Sequence, residues 1–228
     1  MFRTLLTFTA SCALLLSSIA HAGIVVGSPR YLYKEGAREI TAQIENKDDI
    51  PYLIKSWVEA PAGKAPSFMA TPPLFRLEGK QQNTVRLFSN GNVNAPTDRE
   101  SMYYFNVMAI PPVDDAKANN NTIQLAVRHR MRLVYRPKAL FDLSPNTEAK
   151  KLEWRKSGTK LTIKNPTPFF FYFHSIQIGS KEVKPEVNSV APMTTKEVTL
   201  KENINASSIT WKVVNDYGGA GSLYSSSL

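Results

Sequence analysis

Reactive side chains are few in this 228-residue chain. Beyond the first 22 residues the only histidines are His129 and His174, and neither has a second His, Cys or carboxylate at metal-ligand spacing. There is no G-x-S-x-G, no H-E-x-x-H and no glycine loop suited to cradling a phosphate. Asp114-Asp115 lacks the remaining ligands of a calcium loop. Dispersed carboxylates could pair as in a glycosidase, but nothing in their order along the chain brings two together. The sequence therefore gives no catalytic residue, no metal, no cofactor and no support for an enzyme. What remains is the chemistry of recognition. Ile123, Leu125 and Val127 alternate with Gln124, Ala126 and Arg128, and Arg130 and Arg132 follow. One face of this run is apolar in its first half, whereas the second half is crowded with basic groups. The ordinary reading packs the apolar face into its own core. The other reading is a strand too long for its own sheet, which offers its projecting half to a partner.

The elements that would carry these residues are strands. Ile40, Ala42 and Ile44 alternate with Thr41, Gln43 and Glu45, the period-2 pattern of a half-buried strand. Pro51 to Val58, Thr84 to Phe88 and Tyr103 to Val107 read the same way, and Asn121 to Tyr135 reads as the longest strand, ending at Pro137. The pattern restarts with Leu152 to Trp154, a turn at Ser157-Gly158 and Leu161 to Ile163. The block Phe169 to Phe173 and strands over Ser175 to Ile178, Lys196 to Leu200 and Ser208 to Val214 follow. Many short strands without a sustained 3.6-residue period predict an all-β sandwich fold, with a boundary near Ala139 to Asp142. Gly218 to Leu228 reads as a frayed tail.

The N-terminus reads as a secretion signal. Arg3 is followed by an apolar run from Leu5 to Ile19, and Ala20-His21-Ala22 forms an A-x-A cleavage site before Gly23. The run is too short and too rich in Ser and Thr for a membrane anchor, and no membrane insertion is expected. Cys12, the single cysteine, falls inside the run, so a chain starting at Gly23 has no disulfide and depends on its core. The formal charge of +9 would suit nucleic acid in another compartment. No Lys/Arg run is interleaved with aromatics along the sequence, however, and a secreted chain meets little nucleic acid. Two readings remain, a generally basic surface and a face that receives acidic or carboxylate-bearing partners.

In order along the chain, Gly27-Ser28-Pro29-Arg30, Lys55-Ser56-Trp57-Val58-Glu59, Thr71-Pro72-Pro73-Leu74, Asp98-Arg99-Glu100-Ser101, Arg132-Leu133-Val134-Tyr135-Arg136-Pro137, Asn165-Pro166-Thr167-Pro168 and Asn215-Asp216-Tyr217-Gly218 resemble the immunoglobulin-like pilus chaperones of the periplasmic chaperone–usher pathway. The resemblance implies two immunoglobulin-like β-sandwich domains set at an angle with a cleft between them: a signal peptide over 1–22, an N-terminal domain over 23–139 and a C-terminal domain over 140–228. It implies pilus subunits and an outer-membrane usher as partners. Ile123, Leu125 and Val127 become a donor strand that completes an unfinished subunit. Arg30 and Arg132 become the binders of the subunit's C-terminal carboxylate, the family usually carrying Lys at the second position. Glu100, Arg136 and Asp216 become an ion network joining the domains. A structural or adhesive fibre subunit is the alternative, although Gly23 runs straight into the first strand pattern, with no donor extension and no disulfide. Self-association of the free protein through its long strand is left open.

Overall fold

The computed structural model describes residues 23–61, 67–91, 93–112, 124–183 and 189–228, among which seventeen strands and one short α-helix are assigned. The secretion signal expected over 1–22 lies outside the described residues. Nine strands precede the helix: β1 (Ile24–Val26), β2 (Arg30–Lys34), β3 (Ile40–Asn46), β4 (Tyr52–Glu59), β5 (Phe68–Thr71), β6 (Leu74–Leu77), β7 (Gln82–Ser89), β8 (Ser101–Ile110) and β9 (Val127–Arg136). They form two sheets, in the orders β1-β3-β7-β5 and β2-β9-β8-β4-β6. Alternation sorts their side chains. Ala42, Ile44, Val85 and Leu87 of the first sheet join Ile54, Phe105, Val107 and Leu133 of the second in one buried core. Phe68 meets the rings of Tyr33 and Tyr103 edge-on, with centroids 4.9 and 4.7 Å away.

One pairing is parallel. β2 runs alongside β9 in the register Arg30↔Arg132 through Lys34↔Arg136. β9 pairs with β8 along nearly its whole length, from Ser101↔Tyr135 to Ala109↔Val127. Its residues 127–131 therefore have a neighbour on one edge and, among the described residues, none on the other. The sequence pattern extends this strand back to Asn121 and makes it the longest. In the structure β9 begins at Val127 and matches β8 at 10 residues each. Residues 124–126 are described but unpaired, because β8 ends at Ile110 and runs into Pro111-Pro112, which have no N–H to continue a ladder. Ile123 lies outside the described residues.

Beyond Pro137 the chain passes through a 3₁₀ turn at Lys138–Leu140 and helix α1 (Pro145–Glu148) into the second sandwich. Its strands are β10 (Glu153–Ser157), β11 (Lys160–Asn165), β12 (Phe171–Ile178), β13 (Lys181–Glu182), β14 (Ser189–Val190), β15 (Thr194–Thr199), β16 (Ser208–Val214) and β17 (Ala220–Ser227). The sheet β10-β11-β15 faces β13-β12-β16-β17, with β14 paired to β12, over a separate core that includes Trp154, Ile163, Phe171, Ile176 and Trp211. Two sequence expectations are corrected here. The block ending at Phe173 and the strand starting at Ser175 are one strand, β12, with a register shift between them that takes up His174. The tail after Gly218 is no frayed end. It forms β17, paired to β16 from Ser208↔Ser227 to Val214↔Ala220. Its serines hide the alternation, yet Tyr224 lies against Trp211 and donates its hydroxyl hydrogen bond to the Asn146 carbonyl.

The two cores share no residue. A third cluster joins them: Met102 and Val134 from the outer face of the N-terminal sheet pack on Tyr172, with Leu32, Tyr104, Phe170 and Val214 around them.

Candidate functional site: an arginine-lined cleft between the sandwiches

The site is built by strand alternation on the outer face of the N-terminal sheet. Odd-numbered residues of β9 turn toward the core side, so Arg128, Arg130 and Arg132 share the opposite face. Register then sets the neighbours. Glu59 pairs with Tyr104, Tyr104 with Arg132 and Arg132 with Arg30, giving one row across four strands.

Each of the three arginines lies over an aromatic ring supplied by another strand. The guanidinium carbons of Arg128, Arg130 and Arg132 stand 5.1, 3.6 and 3.8 Å from the ring centres of Trp57, Tyr104 and Tyr172. The interleaving of cations and rings that is missing along the sequence is thus assembled in space. Two of the three arginines also share a single carboxylate. Glu59 accepts a hydrogen bond from Arg128 Nη2 at 2.5 Å and sits 3.5 Å from Arg130 Nε. Slight burial would raise the Glu59 carboxyl, but the Trp57 indole N–H and both arginines hold it below the usual range. Arg132 has no carboxylate partner among the described residues.

The half-buried Arg132 lines a cleft of about 560 Å³ with Pro29, His129 and Arg130 of one sandwich and Tyr172 and Ser189 of the other. Tyr172 belongs to the apolar block Phe169 to Phe173, whose composition is that of a core strand. Its ring instead faces the cleft region, and its hydroxyl donates to Met102 Sδ at 3.7 Å. Burial pushes its phenol up to about 12 against the opposing pull of Arg132, so the ring stays neutral at ordinary pH.

Arg30, next to Arg132 in register, is only 6% exposed. Its Nη1 donates to the Asn215 carbonyl at 3.3 Å, and Nη2 stands 3.2 Å from Asp216 Oδ1 without hydrogen-bond alignment. Nε has no acceptor. A buried guanidinium with unused donors is costly unless an acceptor arrives from elsewhere.

Behind the cleft, Arg136 spans the two sandwiches. Its Nε donates to Glu100 Oε1 at 2.8 Å, and its Nη1 and Nη2 donate to Asp216 at 2.7 and 2.8 Å. Glu100, sealed from solvent, also accepts the Phe170 N–H at 2.9 Å. Burial pushes Glu100 up against the pull of Arg136 and that N–H. Burial would likewise raise Asp216, but the hydrogen bonds and charge of Arg136, with Arg30 and Lys34, hold it below the usual aspartate value. The turn that presents Asp216 is fixed locally. Asn215 Oδ1 accepts the N–H groups of Tyr217 and Gly219, and Gly218 takes φ +87°, a conformation that favours glycine.

Of the residues singled out from sequence, Arg30 and Arg132 are adjacent in register, although their side chains differ in surroundings. Glu100, Arg136 and Asp216 form one connected group. Leu125 and Val127 are 75% and 55% exposed, so neither is sealed in its own core. Tyr104 and Tyr172 are participants that sequence reasoning missed, and only a register of β8 and β9, or a docking of the two domains, could have signalled them; Asn215 was flagged only as part of a motif.

Comparison with known proteins defines the class. Residues 23–141 match the family described as pili and flagellar-assembly chaperone, PapD N-terminal domain, and residues 147–225 match the pili assembly chaperone PapD, C-terminal domain. The chain belongs to the pilus-assembly chaperone family. It is 38% identical over 208 residues to the chaperone protein FimC of Escherichia coli K12, covering 90% of this chain and 85% of that protein. Among solved structures, the Salmonella enterica SafB chaperone in complex with SafA pilin matches at a TM-score of 0.81 and 30% identity, covering 93% of this chain and 99% of that one. The periplasmic chaperone SfaE matches at a TM-score of 0.73 and 35% identity, covering 88% and 97%. All three relatives are chaperones, SfaE a periplasmic one, which decides against the alternative of a structural fibre subunit and points to the periplasm.

Proposed function

We propose that the chain is exported by cleavage after Ala22, captures pilus subunits in the periplasm, completes their fold with the strand containing Ile123, Leu125 and Val127, and passes them to an outer-membrane usher. The working division is an N-terminal domain over 23–139 and a C-terminal domain over 140–228. The observation that carries this reading is the half-open β9. Strand β2 covers only Arg132 to Arg136, so the edge of residues 127–131 is open to an added strand. That lane leads to Arg132, which lacks a carboxylate partner among the described residues, and to the donors of Arg30 left unused there. A strand entering it with its C-terminus at the two arginines must run in the direction of β9, as β2 does. Its main chain then bonds the free edge while its terminal carboxylate meets two guanidinium groups.

Burying three aliphatic side chains contributes roughly 5–9 kcal/mol before the cost of association. The carboxylate anchor adds to this and fixes the register, since a slip by one residue would turn every apolar group the wrong way. The test is co-expression with the pilus subunits of its own genome. Wild-type chain should co-purify with a subunit, and the charge reversal Arg30→Glu with Arg132→Glu should lose it while keeping the β-sheet circular dichroism of the free protein. Undiminished recovery with the folded double variant would sink the reading.

A further inference from the structure

We propose that Tyr172, from the C-terminal domain, is the positioning residue that sets the plane of the Arg132 guanidinium for the incoming carboxylate. This inference rests on the carboxylate-binding reading of Arg132 given above. Three observations carry it. Among the described residues Arg132 is the only one of the four β9 arginines lying over a ring that has no acid beside it, so the ring is its one strong side-chain contact there. The contact crosses the domain boundary, with Arg132 on β9 and Tyr172 on β12. Tyr172 is itself pinned, buried between Met102 and Val134.

Stacking occupies the face of a guanidinium and leaves its in-plane N–H donors free for a carboxylate. A ring at 3.8 Å from the guanidinium carbon therefore restricts the plane without consuming a donor. An ammonium is a point charge with rotating donors and has no plane to set. Arginine at position 132 and an aromatic ring at position 172 are thus one device, and the C-terminal domain takes part in carboxylate recognition through it. The specificity that follows is for a free C-terminal carboxylate over an uncharged end.

The experiment uses the full chain and a synthetic peptide with the C-terminal sequence of a co-purifying subunit, prepared both as free acid and as amide. The readout is the amide-to-acid ratio of Kd, and an Arg132→Lys background separates a loosened junction, which would act through Arg30 in either background, from a role on the Arg132 guanidinium. Tyr172→Ala should lower that ratio about 5- to 30-fold, corresponding to about 1–2 kcal/mol at 1.4 kcal/mol per tenfold. Tyr172→Phe, which keeps the ring, should restore it. In an Arg132→Lys background Tyr172→Ala should change the ratio less than about threefold, the non-additivity expected of a coupled pair. If Arg132→Ala leaves the ratio intact, the carboxylate reading fails and this inference with it. If Arg132→Ala removes the ratio while Tyr172→Ala preserves it, or Tyr172→Phe fails to restore it, the positioning role alone is overturned.

Discussion

Asp216 is the residue on which the two sandwiches meet electrostatically, since Arg30 and Arg136 of one domain both approach its carboxylate from the other. Its pKa is held below the ordinary 3.8, mainly by Arg136 working against burial. For an acid depressed in the folded state, the stabilisation is present above the unfolded value and disappears as pH falls through the folded one. The difference in melting temperature between wild type and Asp216→Asn should therefore be constant from neutral pH down to about 5 and shrink as pH falls through the unperturbed value of 3.8. Thermal melts across a pH series check this, and a difference that grew as pH fell through that range would contradict it. Sequence reasoning reached Asp216, Glu100, Arg136 and the two cleft arginines because short motifs around each resemble those of a known family. It missed Tyr172 for a physical reason: a Tyr among four phenylalanines has the pattern of a core strand, and only the docking of the two domains brings that ring against Arg132.

At the scale of elements, β9 does two jobs along its length. Met131, Leu133 and Tyr135 are buried in the N-terminal core, whereas Leu125 and Val127, in phase with them, project where no sheet covers them. A substitution at an exposed position typically shifts stability by no more than about 0.5 kcal/mol. Val127→Asp should accordingly leave the melting temperature within about 2 °C of wild type, yet abolish co-purification of a subunit, because it would place an unpaired carboxylate in an apolar groove. Loss of both properties would mean that Val127 serves its own core. The alternation that announces β9 also announces most of the other strands, since period-2 burial on one face is a strong local signal. It fails at the two ends of the problem. It carries the strand through residues 124–126, where alternation continues without a ladder, and it loses β17 because Gly-Ser-Leu-Tyr-Ser-Ser-Ser has little apolar face to alternate. There the ladder to β16 and the Tyr224–Trp211 contact decide the structure, and both depend on residues distant in sequence.

At the scale of the molecule, the cleft exists only while the sandwiches keep their relative placement, and the contacts that hold it are few. Among the described residues they include the small apolar cluster around Met102, Val134 and Tyr172, the bridge through Arg136, the contacts of Arg30 with Asn215 and Asp216, and those of Glu100 with the Pro168–Phe170 backbone. A buried ion pair is weak evidence for net stability, and the upward push on Glu100 fits that view. Breaking one side of it is another matter. Arg136→Ala leaves a fully buried Glu100 carboxylate with the Phe170 N–H as its remaining hydrogen-bond donor and releases Asp216, which should cost about 3–5 kcal/mol. Because Glu100 belongs to the first sandwich and Asp216 to the second, the loss falls on the coupling between them rather than on either core. Scanning calorimetry should show one transition for wild type and two, with an earlier onset, for Arg136→Ala. Removing the stranded charges as well, with Glu100→Gln and Asp216→Asn added, should recover much of the lost onset temperature without restoring the bridge. Subunit capture should stay low in both variants although Arg30 and Arg132 are untouched, since Arg30 takes its alignment from Asn215 and Asp216 across the same junction. A single unshifted transition in Arg136→Ala would show instead that the apolar cluster alone sets the angle.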